Sequence, residues 1–226
     1  MRYENVCMGR FISRPNRFVA HVCLNGETVV CHVKNTGRCR ELFVPGAQVV
    51  LTKSTNPARK TAYDLIAVYK GDRLINIDSQ APNRVFHEWA RSGGFLKDIT
   101  YIRPETFYGQ SRLDFYLDAG GQKVLVEVKG VTLEDEGKVL FPDAPTIRGT
   151  RHLKELTAAA LLGYACYVVF VIQMSGVHSF SPNDTTDPAF GKALREAAAH
   201  NVHVLAYDCL VAEDFLEMGE RVPVLL

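Results

Sequence analysis

The stretch from Arg112 to Lys129 constrains the fold of this chain more than any other part of its sequence. Apolar and polar residues alternate along most of it, and a period of two is typical of β-strands. Its middle contains Gly120-Gly121, which suits a two-residue turn whose central residues both take positive φ. The sequence therefore predicts a β-hairpin, and this turn sets a register in which Asp114 faces Glu127.

The two faces of the predicted hairpin carry different chemistry. One face is apolar throughout and consists of Leu113, Phe115, Leu117, Val124, Val126 and Val128. The other face carries Asp114, Glu127 and Lys129. Two carboxylates that face each other have Cβ atoms roughly 5 Å apart, and they destabilise a sheet unless a cation or a basic side chain lies beside them.

Two carboxylates and a lysine on one sheet face are groups suited to phosphodiester hydrolysis. Carboxylates hold Mg²⁺ together with substrate phosphate, the ion activates water, and an ammonium group orients that water or stabilises developing charge. Alternatively, Asp114 and Glu127 pair with Arg112 and Lys129 on a solvated face, or another turn type slips the register and separates them. Glu127 interrupts a run of apolar residues, where a carboxylate is costly without a partner, and this favours the functional interpretation.

Charge is divided unevenly along the chain. Residues 1–80 contain 12 lysines and arginines against six acids, whereas residues 81–226 contain 14 against 19, and the whole chain carries +1. A basic first part favours attraction of phosphate, and an acidic second part favours carboxylate chemistry. Chance asymmetry in a globular protein is the alternative.

Residues 1–80 have the pattern of a small β-barrel, because short strands alternate with regular turn signals such as Asn25-Gly26 and Gly71-Asp72. The predicted strands are Val6–Ser13, Phe18–Leu24, Thr28–Val33, Gln48–Ser54, Tyr63–Tyr69 and Arg73–Ile77.

Residues 81–226 have the pattern of a mixed sheet flanked by helices. The predicted helices are Pro82–Ala90, Thr146–Leu162 and Ala189–His200, the last with Asp187 as N-cap and Pro188 at its first position. The predicted strands are Ile99–Arg103, Leu113–Leu117, Val124–Lys129, Tyr167–Ile172 and Val202–Ala206. The apolar run Tyr167–Ile172 is expected to be a central strand covered on both faces.

The apolar runs are too short to span a membrane, and the first ten residues lack an apolar signal core, so a cytoplasmic protein without a membrane partner is expected. The six cysteines form no C-x-x-C pair, and reduced thiols are expected.

Further residues are candidates for the site and for nucleic-acid contact. Glu88 on the first predicted helix is a candidate third carboxylate, with a solvated helix charge as the alternative. Phosphate contacts are predicted around the turns of the barrel and on the second predicted helix, at Arg14, Arg17, Asn35, Thr36, Arg38, Arg59, Lys60, Arg148 and Arg151. Phe18 and Phe43 are candidate stacking surfaces for bases, with core packing as the alternative.

Several longer strings resemble the sugar fermentation stimulation protein A family along essentially the whole chain. They are Asn35–Gly37, Pro82–Arg84, Ser111–Phe115, Val126–Leu133, Phe141–Ala144, Arg148–Leu156 and Phe180–Asp184. The arrangement of Asp114, Glu127 and Lys129 also resembles the PD-(D/E)XK nuclease motif, which alone is a weak pattern.

The resemblance implies an N-terminal OB-fold barrel at residues 1–80, followed at residues 81–226 by a restriction-endonuclease-like PD-(D/E)XK domain. It implies DNA binding, a link to regulation of sugar (maltose) metabolism, and a nuclease-type site. Carried onto this chain, Asp114 and Glu127 would be metal ligands, Lys129 the catalytic lysine, and Glu88 the acid of the first helix. Lys34 and Ile147 depart from the family pattern, which usually has proline and an acidic residue at those places.

Two hypotheses follow. The first is a nuclease dependent on Mg²⁺ or Mn²⁺ with DNA as substrate, and the second is a non-catalytic, largely nonspecific DNA-binding regulator on a nuclease scaffold. RNA is an alternative ligand for the barrel. The residues leave the oligomeric state open, and a homodimer is one alternative.

Overall fold

The first five strands close into a barrel and a sixth pairs at its edge, so the small barrel that the sequence predicts is present. The structure is a computed structural model that describes residues 1–35 and 37–226. Its barrel strands are β1 (Val6–Asn16), β2 (Val19–Leu24), β3 (Glu27–Val33), β4 (Gln48–Lys53), β5 (Tyr63–Lys70) and β6 (Arg73–Asn76). Strand β1 pairs with β2 and β4, and the barrel closes where β3 runs parallel to β5. This is a closed five-stranded, OB-like barrel, with β6 added at the edge of β5.

The second part is a mixed six-stranded sheet between helices. Its elements are α1 (Ala81–Arg91), β7 (Ile99–Tyr108), β8 (Ser111–Ala119), β9 (Gln122–Val131), β10 (Leu133–Asp135), β11 (Lys138–Phe141), α2 (Ile147–Leu161), β12 (Ala165–Ile172), β13 (Ser179–Pro182), α3 (Pro188–Ala199), β14 (Val202–Val211) and β15 (Leu216–Arg221). The order across the sheet is β15-β14-β12-β9-β8-β7, with β9, β12 and β14 parallel. Strands β10, β11 and β13 form a small separate sheet.

The two faces of the large sheet pack against different helices because side chains alternate along each strand. Val126 and Val128 of β9 lie in one apolar cluster with residues of α1, whereas Leu125 and Val131 lie in another with residues of α2 and α3. The central strand β12 is buried on both faces, as predicted. The second cluster continues into the barrel interior, so barrel and sheet share a continuous apolar core.

The predicted hairpin of β8 and β9 is confirmed. Gly120 and Gly121 have φ values of 54° and 79°, and Phe115 pairs with Val126 in the predicted register. One detail of the predicted faces is wrong: Leu113 is buried in the cluster on the α2 side, not with Phe115. The pairing of β8 with β9 ends at Phe115. Beyond this point the alternation of side chains along β8 does not determine on which face of the sheet Leu113 lies.

Sequence patterns miss the four short strands β10, β11, β13 and β15. Each has six residues or fewer, and β10, β11 and β13 lie outside the large sheet. The cap of α3 is as predicted, because Asp187 Oδ1 accepts a hydrogen bond of 3.0 Å from Phe190 N.

Polar contacts join the barrel to the second part. Glu134 of the second part is buried and forms two ion pairs with barrel residues, one with Lys70 Nζ at 2.7 Å and one with Arg73 Nη1 at 2.5 Å. Gln173 Nε2 donates to Asn76 Oδ1 at 2.9 Å. At the start of the chain, Tyr3 N donates to Asp214 O at 2.7 Å, so this end lies against the second part.

All six cysteines are free thiols, and four of them are buried. No α-helix within residues 1–35 and 37–226 combines the length and the apolar character needed to cross a bilayer.

Candidate functional site

Neighbouring strands bring Asp114 and Glu127 together. Glu127 lies in the middle of β9, between β8 and β12, and only 2% of its surface is exposed. Val128 N donates a hydrogen bond of 2.8 Å to Asp114 Oδ2, so this carboxylate caps the ladder just beyond its last paired residues. Asp114 is therefore held beside Glu127 by the backbone of β9.

The two oxygens of Glu127 have unlike surroundings. Its Oε1 accepts hydrogen bonds from Lys129 Nζ at 2.5 Å and from the ring of His152. Its Oε2 is buried, and no described residue offers it a hydrogen bond. Burial acts to raise the pKa of Glu127, but the hydrogen bonds from His152 and Lys129 and the charge of Lys129 outweigh burial and lower it. Glu127 is thus held ionised with one oxygen uncommitted.

Asp114 is less well compensated than Glu127. Asn83 Nδ2 donates to its Oδ1 at 2.9 Å, and Val128 N occupies its Oδ2. Burial and then the negative charge of Glu127 raise the pKa of Asp114 above its ordinary value. Two neighbouring carboxylates that are shielded from water repel each other, and the charge of Lys129 only partly offsets this repulsion.

Sequence reasoning missed Asn83 and His152, which complete this cluster. His152 lies on α2 and is 1% exposed, and Asn83 lies in the first turn of α1. Both stand within strings that the family resemblance already picks out. Their contacts join residues 25 and 31 positions apart in the chain, and no local period indicates such contacts.

The predicted role of Glu88 requires correction. Its Oε2 pairs with the α-ammonium group of Met1 at 2.7 Å, and its side chain is 57% exposed. It lines a cleft with Met1, Trp89 and Glu217, whereas the first turn of α1 contributes Asn83 to the carboxylates. Asn83 and Glu88 are five positions apart on α1, and within the described chain it is Asn83, not Glu88, that contacts the carboxylates.

The two arginines of α2 lie close to the carboxylates and have different partners. Arg148 is exposed, and its Nε donates to His152 Nε2 at 3.3 Å. Arg151 is also exposed, and its Nε donates to Ser111 Oγ at 3.2 Å.

The predicted phosphate-binding residues of the barrel fall into two groups. Arg14 donates to the carbonyl oxygens of Arg17, Asn35 and Arg38 and stacks on Phe43 at 4.6 Å. The side chain of Asn35 is occupied by Ile77 O and Gly37 N. Arg59 Nη1 pairs with Asp64 Oδ2 at 2.9 Å. These three residues are occupied by contacts that hold the fold.

A second group of barrel cations, which contains Arg17, Arg38, Arg40 and Lys60, is exposed. Arg17, Arg38 and Arg40 line a cavity of about 730 Å³, and none of them forms an ion pair with a described residue. Lys60 is exposed in the loop that contains Arg59. Thr36, also predicted to contact DNA, lies outside the described residues.

Two adjoining cavities form a groove at the junction of the barrel and the second part. The barrel cavity shares Gly37 and Ala144 with a second cavity of about 330 Å³, and Gly130 lines the second one. Gly130 directly follows Lys129 in the chain. Phe43 packs at the base of the barrel cavity against Phe11 at 5.2 Å, whereas Phe18 is 54% exposed.

The residues present fit a hard divalent cation in part. The uncommitted Oε2 of Glu127 and the neighbouring Asp114 are oxygen donors with an unmet demand for positive charge. Within the described chain, no group of three or more His, Cys, Asp or Glu side chains is arranged to hold a metal ion. Two carboxylates are nevertheless a usual protein share of a Mg²⁺ site, because water and phosphate commonly supply the remaining ligands.

Comparison with known proteins finds the same relatives for both parts of the chain. Residues 12–77 match the SfsA N-terminal OB domain, and residues 80–215 match the sugar fermentation stimulation protein RE domain. A sugar fermentation stimulation protein homolog from Desulfitobacterium hafniense is 54% identical over 226 residues, which cover 100% of this chain and 99% of the homolog. A homolog from Clostridium beijerinckii is 52% identical over 226 residues, which cover 100% of both chains. The structure of Pyrococcus furiosus SfsA in complex with Ca²⁺ superposes with a TM-score of 0.91 at 26% identity, covering 100% of this chain and 98% of that one. This chain therefore belongs to the sugar fermentation stimulation protein (SfsA) family.

Proposed function

We propose that this protein is a nuclease that requires Mg²⁺ or Mn²⁺ and cuts DNA at the Asp114–Glu127 pair. The observation that carries the proposal is the buried Oε2 of Glu127, which has no partner among the described residues and lies beside a second carboxylate. Leaving such an atom unsatisfied costs free energy that a bound cation would recover.

Asp114 and Glu127 are the residues that would hold the cation. The Ca²⁺ in the structure of the Pyrococcus furiosus relative supports a divalent cation in this family. When bound, such an ion supplies charge neutralisation at phosphate and activation of water.

The residues around the pair keep it ready for a cation. Asn83 and the Val128 amide orient Asp114, and His152 with Lys129 orient Glu127 and hold it ionised. The side chain of Lys129 is 13% exposed, so its ammonium group is proposed to reach a phosphate or water at the mouth of the site while it still contacts Glu127. Such a preorganised cation stabilises negative charge that develops on phosphate.

The barrel groove is proposed to bind the DNA backbone. Arg17, Arg38 and Arg40 give its rim positive charge, and the apolar floor at Phe43 suits the faces of bases. If these three arginines each contact a phosphate, the logarithm of affinity should fall with the logarithm of salt concentration with a slope of about −3. The contacts are to backbone, so little sequence preference is expected.

The second candidate function is a DNA-binding regulator without catalysis. It is favoured by the same three exposed arginines, which form a polyanion-binding surface that needs no chemistry. The family name connects such a role to sugar metabolism. RNA is a further candidate ligand, and competition between matched DNA and RNA oligomers in filter binding distinguishes the two.

DNA cleavage in Mg²⁺ or Mn²⁺ tests the proposal. The wild type is compared with Asp114→Asn, Lys129→Ala and the control Lys123→Ala, which removes an exposed lysine from the same strand. We expect cleavage by the wild type and the control, and loss of cleavage with retained DNA binding in the two site variants. A wild type that binds DNA but cuts no linear, circular, single-stranded or structured substrate would establish the regulator instead.

A further inference from the structure

We propose that Arg148 and His152 form a relay through which a phosphate group of the substrate orients Glu127. The relay rests on the proposed function, because it assigns the phosphate diester as the group that Arg148 binds. In this arrangement His152 is a positioning residue, and Arg148 joins the substrate to a carboxylate that it does not itself touch.

The hydrogen bonds fix the direction of the relay. A guanidinium group only donates, so Arg148 Nε donates to His152 Nε2 and this ring nitrogen carries no proton. The proton therefore sits on Nδ1, which donates to Glu127 Oε1. The result is a continuous chain of donors from the exposed end of Arg148 to the buried carboxylate.

The helix geometry explains why Arg148 and His152 meet. Arg148 and His152 are four residues apart on α2, so their side chains lie one above the other on one face. His152 is 1% exposed and enclosed by the core. Arg148 is exposed, and within the described chain its Nη1 and Nη2 atoms have no hydrogen-bond partner. These two nitrogens form the edge that binds phosphate with paired hydrogen bonds.

Arg151 provides an internal comparison. It lies on the same helix, carries the same charge and is also exposed, but its Nε is attached to Ser111 and not to His152. Both arginines attract phosphate, whereas only Arg148 is linked to Glu127. The relay therefore predicts different effects for the same substitution at the two positions.

The consequence is a coupling between DNA and the cation. A phosphate that immobilises Arg148 also fixes His152 and Glu127 Oε1, which directs Oε2 toward the cation. By thermodynamic linkage, bound DNA must then raise the affinity for the cation by the factor by which the cation raises the affinity for DNA. Direct contact between cation and phosphate adds to this coupling in every variant, so the relay is measured as a difference between variants.

The test is calorimetric titration of the full chain with Ca²⁺, with and without a saturating short DNA oligomer. Four proteins are compared: wild type, Arg148→Lys, Arg151→Lys and His152→Asn. Lysine keeps the charge but lacks the Nε donor. Asparagine keeps a donor near the position of Nδ1 but has no atom at the position of Nε2, where Arg148 donates. Nitrogen-15 NMR of the His152 ring reports its tautomer without DNA or metal.

We expect DNA to raise the Ca²⁺ affinity of the wild type by about fivefold or more. Arg148→Lys should reduce this factor by roughly threefold or more while DNA-free Ca²⁺ affinity is retained, and Arg151→Lys should leave the factor unchanged. His152→Asn should reduce both the factor and the DNA-free Ca²⁺ affinity, because His152 also orients Glu127. The wild-type ring should carry its proton on Nδ1, and Arg148→Lys should lose that preference.

Other outcomes overturn the relay in distinguishable ways. Equal coupling in Arg148→Lys and Arg151→Lys, or an Nε2–H tautomer in the wild type, refutes the relay and leaves the metal site intact. A wild type that binds no Ca²⁺, with or without DNA, refutes the metal site of the proposed function together with the relay.

Discussion

The arginines of the barrel differ in whether their side chains are already bound to other residues of the protein. Arg14 makes three hydrogen bonds to backbone carbonyls, so moving it to a phosphate would break all three. Arg59 is held by Asp64. Arg38, by contrast, is exposed at the rim of the groove, and no described residue pairs with it. The number of arginines in the sequence indicates phosphate binding. Only the structure shows which of them are exposed and which are already bound to other residues.

The exposed arginine Arg38 provides the first prediction. Arg38→Gln should weaken DNA binding and reduce the slope of its salt dependence by about 1, because one phosphate contact is removed. Fluorescence anisotropy over a range of salt concentrations measures this slope. Lys192→Gln on the exposed side of α3 is the control and should change neither quantity. An unaltered slope in Arg38→Gln would remove this residue from the interface.

Gly130 provides a second prediction at this scale. A Cβ atom there would lie 2.6 Å from Pro82 Cγ and 2.7 Å from Gln173 Oε1. The proline ring cannot turn aside, so Gly130→Ala should force a backbone shift that costs about 1–3 kcal/mol. Because Lys129 is the preceding residue, cleavage should fall as well. Urea unfolding measures the stability, and an unchanged midpoint would show that the junction is not tightly packed.

Helix ends link the elements that carry the site. Asp187 caps α3 through Phe190 N, and its second oxygen accepts from Thr146 N at 2.8 Å, just before α2. Thr146 in turn caps α2 through Gly149 N at 3.0 Å. One carboxylate therefore sets the start of both helices, and α2 carries Arg148 and His152.

The shared cap predicts an unusually large effect of its removal. Asp187→Ala should cost about 2–3 kcal/mol, above the usual ~1 kcal/mol for an N-cap, because two buried donors lose their acceptor. Asp187→Asn keeps one acceptor oxygen and should cost less. Thermal and urea unfolding of both variants measure the difference, and equal costs for alanine and asparagine would contradict the shared role.

The barrel and the second part behave as one body at the scale of the whole molecule. Their common apolar cluster and the buried Glu134, which is held by Lys70 and Arg73 of the barrel, leave little freedom between them. Burial acts to raise the pKa of Glu134, but these two cations and the Gly137 amide outweigh burial and lower it from 4.5 to about 2. The groove at the junction of the two parts is therefore expected to keep its shape.

This contact predicts an acid-sensitive junction. A carboxyl with a lowered folded pKa adds stability above its unfolded pKa, and that stability is lost as pH falls from 4.5 toward about 2. Glu134→Gln should lower stability at neutral pH, on the order of 1–3 kcal/mol, and should flatten the loss of stability below pH 4.5. Urea unfolding at several pH values measures both effects. A variant with the wild-type acid profile would show that Glu134 is not the group responsible.

Much of this molecule could be predicted from the sequence because the signals are local. The period of two and the glycine turn determined the register of β8 and β9 from Phe115 to Ala119. The predicted pair of Asp114 and Glu127 lies just beyond this ladder, where Val128 N holds Asp114. Turn signals between short strands indicated the barrel, and Asp187-Pro188 indicated the start of α3. Each of these features depends on residues within a few positions of one another, where propensity and hydrogen bonding act directly.

Only the tertiary structure decided which distant side chains meet. It gave Glu88 to Met1, placed Asn83 beside Asp114, and buried His152 against Glu127. It also formed the short strands, because β15 pairs with the edge of β14, and β10, β11 and β13 pair with one another in a separate sheet. The free energy of these contacts comes from burial and pairing between elements far apart in the chain, and no local pattern of residues contains that information.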